Sequence, residues 1–113
     1  MAVDEQLNAQ FRKALGRLDG LSEKKMMGGM CFMLNGNMIG GADRTKDGEG
    51  RFMFRVGKDN DATGSALPGA QPMIQGSRRM SGLFFVPEDD CTPDVMAQWL
   101  ALALEFAQTL PKK

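Results

Sequence analysis

Histidine and tyrosine are absent from this 113-residue chain, and cysteine occurs only twice. Without histidine the chain lacks the side chain that titrates nearest neutrality and is the commonest metal ligand. That argues against general acid–base catalysis and against a transition-metal centre. Cys31 and Cys91 are far apart and form no CxxC pair, and neither has a histidine to activate it as a nucleophile. Net charge is also missing, because fourteen basic residues balance fourteen acidic ones. A neutral chain has no global attraction to nucleic acid or to an anionic membrane, although a local patch can still form. No apolar run approaches the ~18 residues of a membrane span. The start, MAVDEQLNAQ, has neither the basic region nor the apolar core of a secretory signal. The expectation is a cytoplasmic protein with free thiols, no cofactor and no metal.

The glycines are abundant but do not fall in a phosphate-binding pattern. GxxxxGK[ST] is absent, and no GxGxxG opens a helix after a strand. Turns and bulges explain them better. Gly50-Arg51-Phe52-Met53-Phe54 faintly echoes an RNA-stacking strand, but two phenylalanines on one side of a strand are more often core. Asp59 with Asp61, and Glu88-Asp89-Asp90, are acidic loops without an EF-hand pattern.

Ten methionines are present, and much of the chain is organised around KKMMGGMCFMLNGNMIGG, residues 24–41. Asn35-Gly36 between two apolar runs specifies a two-residue type I′ turn. Leu34 then faces Asn37, Met33 faces Met38, Phe32 faces Ile39 and Cys31 faces Gly40. Alternation puts Leu34, Phe32, Ile39 and Met30 on one face and Met33, Met38 and Cys31 on the other. Bulges are expected at Gly28-Gly29 and Gly40-Gly41.

An amphipathic helix is predicted over Asp4 to Leu18, with Leu7, Phe11, Leu15 and Leu18 on its stripe, Asn8, Arg12 and Lys13 off it, and Gly20 as its stop. Residues 43–50 form a polar connection with a turn at Asp47-Gly48. In the strand Arg51 to Val56, Phe52, Phe54 and Val56 point to the core, while Arg51, Met53 and Arg55 point outward. One or two helical turns are expected within 58–67, ending at Pro68-Gly69. Pro72-Met73-Ile74 reads as a short extended piece, Gly76-Ser77-Arg78-Arg79 as a turn, and Leu83 to Val86 as a strand. Thr92 caps a last helix with Pro93 at its first position, and an apolar arc through Val95, Trp99, Leu102, Phe106 and Leu110 runs to Pro111. Trp99 is expected in the core between the first helix and the sheet. The order predicts a single α+β domain over 1–113, a two-layer fold with an antiparallel sheet and N- and C-terminal helices packed on it.

Met33, Met38, Met53, Arg51 and Arg55 should share the outer face, joined by Phe84 or Phe85. Methionine, aromatic and arginine side chains suit an adaptable protein-binding surface, so a protein partner is expected there. Arg78 and Arg79 complete the candidate set. In the competing arrangement the last helix or loop 71–82 covers this face. The alternative function is nucleic-acid binding through Arg51, Arg55, Arg78 and Arg79. A homodimer is expected from the wide apolar arc of the last helix.

Lys25-Met26-Met27-Gly28-Gly29-Met30-Cys31-Phe32, Asn35 to Gly41, Arg55-Val56-Gly57, Pro68-Gly69-Ala70 with Pro72-Met73, Met80-x-Gly82 and the closing Trp99 to Pro111 together resemble the TfoX N-terminal domain family. The chain departs from that pattern at Met27, Gln75 and Arg79. The resemblance implies a fold similar to type III secretion chaperones, and it brings no catalytic residues. Longer TfoX/Sxy competence regulators carry a second, helical domain. The resemblance covers the first domain only, so a role in transcription would come by analogy of fold.

Overall fold

The computed structural model describes residues 4–26 and 29–112. Helix α1, Glu5–Leu15, begins where the Asp4 carboxylate accepts the backbone N–H groups of Gln6 and Leu7. It ends at Gly16, four residues before the expected stop, and Leu18 is left exposed. Asn8, expected off the stripe, is buried. It sits beside Leu7 and one turn before Phe11, on the buried side of the helix.

Six strands form one antiparallel sheet in the order β1-β2-β3-β4-β6-β5. They are β1 Leu21–Met26, β2 Gly29–Leu34, β3 Asn37–Arg44, β4 Gly50–Arg55, β5 Gln71–Gln75 and β6 Arg78–Pro87. A short helix α2, Asp61–Ser65, and a long helix α3, Pro93–Gln108, complete the chain. Thr92 caps α3 by accepting the Val95 N–H, with Pro93 at its start, as predicted. The α+β class and the antiparallel sheet with helices on one face are as expected.

Three features differ from the sequence reading. β1, LSEKKM, is a strand without an apolar face; β2 pairing holds it, and Arg12 of α1 grips Glu23 through two 2.7 Å contacts. Charged side chains are a normal way to protect a sheet edge. Residues 71–82 do not cover the sheet: the expected extended piece and turn form as β5 and Gly76-Ser77, but Arg78 and Arg79 already belong to β6, so the stretch builds a hairpin that widens the sheet. β3 runs on to Arg44, which takes Asp43 into the sheet.

The Asn35-Gly36 turn forms with both φ angles positive, 53° and 84°. Leu34 faces Asn37 and Met33 faces Met38 as predicted, but Phe32 then faces Gly40 and Cys31 faces Gly41. The extra residue is Ile39, a bulge that keeps this side chain wholly in the core. The bulge therefore precedes Gly40-Gly41. Of the other expected bulge, Gly28 lies outside the described residues.

All three helices pack on one face of the sheet. Phe11 stacks on Phe32 at 4.5 Å and meets Phe54 at 5.7 Å, while Trp99 covers Phe54 and Phe84. Trp99 is fully buried, as expected. Its indole N–H reaches the Pro68 carbonyl at 3.0 Å, so its polar end faces the turn after α2.

Three arginine–carboxylate pairs tie these elements together: Arg44–Asp4, Arg12–Glu23 and Arg79–Asp61. In each the guanidinium holds the carboxyl below its usual range. A lowered folded-state value means that the unfolded chain binds more protons on acidification, so stability present at neutral pH is lost as pH falls below about 4. Urea midpoints should fall from pH 6 to pH 3, and Asp61→Asn should show a shallower decline; equal declines in the two proteins would refute the Asp61 assignment.

Candidate partner-binding face of the sheet

β4 builds the site by simple alternation. Phe52 and Phe54 enter the core, so Arg51 and Met53 project from the side away from the helices. Strand pairing brings a row of residues alongside Met53: Lys24, Cys31, Gly41 and, beyond Met53, Phe85. Met33 and Met38 face each other farther along the same side, both half-buried. Phe85 is thus the outward phenylalanine, and Phe84 belongs to the core.

Asp43 lies directly across from Arg51 and receives two hydrogen bonds from its guanidinium, at 2.7 and 3.1 Å. The same guanidinium lies 3.8 Å from the centre of the Phe85 ring. The arginine is thereby neutralised and laid flat across the face. These neighbours leave Met53 only 7% exposed and Cys31 only 3%, although no helix among the described residues covers them. Gly41, between Cys31 and Met53, contributes no side chain. The result is a pit of about 70 Å³, walled by Met26, Met53 and Phe85 and rimmed by Asp43 and Arg51.

The remaining candidate arginines lie elsewhere. Arg55 sits at the end of β4 with its guanidinium 5.1 Å from the centre of the Phe106 ring. Arg79 is held by Asp61 beside α2, and Arg78 is exposed next to the Gly76-Ser77 turn. The seven candidates therefore do not form one surface. Met33, Met38, Arg51 and Met53 share the sheet face, while Arg55, Arg78 and Arg79 leave it. Sequence reasoning did not include Asp43, Met26, Gly41 or Lys24. Asp43 was not within reach of the turn signal: a two-residue turn at Asp47-Gly48 would put Arg44 opposite Arg51, whereas the register is Arg44 with Gly50 and Asp43 with Arg51.

Burial raises the thiol of Cys31, with a further push from Asp43, and raises that of Cys91 to about 11. Both therefore stay protonated at neutral pH, the inert state of a buried cysteine.

This geometry defines a class: a small two-layer α+β domain with helices on one sheet face and a methionine-rich opposite face. Residues 13–107 match the model of the TfoX N-terminal domain family. The chain belongs to that family, and the membership suggests a domain of the competence-regulation type. No curated protein and no solved structure gives a significant match. No described helix is long and apolar enough to cross a membrane.

Proposed function

We propose that this domain is a non-enzymatic regulator or adaptor that works in the cytoplasm through protein contacts made by the helix-free face of its sheet. The observation that carries this reading is the pit between Cys31 and Met53, walled by Met26 and Phe85, with Met33 and Met38 farther along the same face. Flexible, polarizable methionines repack against varied partners, and interface cores are enriched in methionine, aromatic residues and arginine. Nucleic-acid binding has less support, because Asp43 and Asp61 already neutralise Arg51 and Arg79.

The double variant Met33→Glu/Met38→Glu places like charges across from each other on this face and is expected to abolish capture of the native partner from a cell extract. Circular dichroism checks that the variant is folded. Capture unchanged by a folded variant would refute the assigned face. Oligonucleotide affinity that collapses with added salt would favour the alternative.

A homodimer formed through α3 leaves this face free. Phe106 on that helix and Leu110 just past its end, two residues beyond Gln108, are partly exposed, whereas Val95, Leu102 and Leu104 are partly used by the core. A symmetric pair would use the same patch twice. Light scattering is expected to give twice the 12.3 kDa chain mass, and a constant single-chain mass at high concentration would refute the dimer.

A further inference from the structure

The charge on the outer face differs from that of the whole chain. Lys24 and Arg51 leave their strands on this face, against Asp43, the single carboxylate of the described strands there. Arg51 already engages that carboxylate, and Arg55 has its guanidinium by Phe106. Lys24 is different. It is exposed, forms no ion pair among the described residues, and is the register partner of Cys31 at the wall of the pit. Glu23, its neighbour, projects to the other face and is bound by Arg12. An unpaired cation thus stands next to an apolar hole.

The hole has a definite shape. Gly29 and Gly41 lie among its lining, and Met26 and Phe85 stand at opposite sides. A pit of about 70 Å³ admits the end of one aliphatic side chain but not a nucleobase. Phe85, the ring on which a base would stack, is covered by Arg51. Small apolar pockets of this kind hold the anchor residues that dominate protein interfaces, and charges at the rim add orientation and encounter rate.

Resting on the reading of this face as a protein-binding surface, we propose that its partner is an acidic segment, with one aliphatic side chain anchored in the pit between Cys31 and Met53 and a carboxylate beside it paired to Lys24. The aliphatic group takes up the space over Gly41 and the carboxylate meets Lys24, which has no ion pair among the described residues and stands on the same face as Cys31. Because an exposed ion pair is screened by salt, the carboxylate contact should weaken with ionic strength and the anchor contact should not.

Methionine methyl groups labelled with carbon-13 report the test directly, since Met26 and Met53 line the pit whereas Met73, Met80 and Met96 do not. The probes are a seven-residue peptide with one leucine flanked by glutamates, the same peptide with serine for leucine, versions flanked by lysine or by glycine and serine, and an oligothymidylate. The glutamate–leucine peptide is expected to shift the Met26 and Met53 signals and leave the distant ones in place. The serine version should not produce these shifts. Lys24→Glu, at an exposed edge position, should weaken the acidic peptide about tenfold at low salt, as expected for reversing one exposed pair. If the lysine or neutral leucine peptide fills the pit as well as the acidic one, the charge assignment is wrong while the protein-binding reading stands. If no peptide shifts the pit methyls, the proposal is overturned; if the oligothymidylate alone shifts them, the protein-binding reading falls with it.

Discussion

Trp99→Ala is expected to lose about 3–5 kcal/mol, the range for truncating a large buried aromatic side chain. The indole is fully buried and forms contacts of three kinds. It stacks on Phe54 at 5.4 Å with a 16° tilt, and it meets Phe84 at 5.2 Å. Its N–H donates to Pro68, which fixes the turn after α2 to α3. Removing it opens a cavity between α3 and the sheet and leaves the Pro68 carbonyl without this donor. A small domain has about 5–15 kcal/mol in total, so the variant should be largely unfolded or poorly expressed. Trp99→Phe keeps most of the stacking and loses the hydrogen bond, so it should cost less, about 1–3 kcal/mol. Urea titration ranks the three proteins, and a Trp99→Ala midpoint near the parent's would show that the core does not depend on this residue.

Gly82→Ala should cost about 3–5 kcal/mol, for a backbone reason. Gly82 has φ +79°, and a methyl group there would come within 2.5 Å of the Gly57 carbonyl carbon. The two glycines are bound together, because the Gly82 carbonyl accepts N–H bonds from Val56 at 2.8 Å and Gly57 at 3.3 Å. The Gly82 N–H in turn donates to Asp61 at 2.7 Å. A clash against backbone is not relieved by turning a side chain, so β6 must move away from the end of β4 and strain these bonds. Gly48→Ala is the matched control. Gly48 also has a positive φ, 85°, but nothing lies within 4 Å of the added methyl. It should therefore show only the conformational cost, about 1–2 kcal/mol. Equal losses at the two positions would mean that the contact with Gly57 contributes nothing.

Local rules made several parts of this protein legible in the chain alone. Asn35-Gly36 specifies a turn because both residues tolerate positive φ, and the structure has it. Thr92-Pro93 starts α3 because a threonine oxygen and a proline without an N–H suit the first turn of a helix. Alternation through Phe52, Phe54 and Val56 settles which side of β4 enters the core, and hence that Arg51 and Met53 face outward. Each of these depends on neighbours a few residues apart. Tertiary structure alone decided the rest. β1 has no apolar alternation and exists as a strand because β2 pairs with it and Arg12 holds Glu23. Residues 71–82 became an edge hairpin because β6 offered an unpaired edge. The Ile39 bulge shifted the register so that Gly41, not Gly40, stands between Cys31 and Met53. Arg79 was drawn to Asp61, eighteen positions away. These outcomes come from hydrogen-bond pairing, packing volume and charge between segments distant in the chain, and no short stretch of sequence contains both partners.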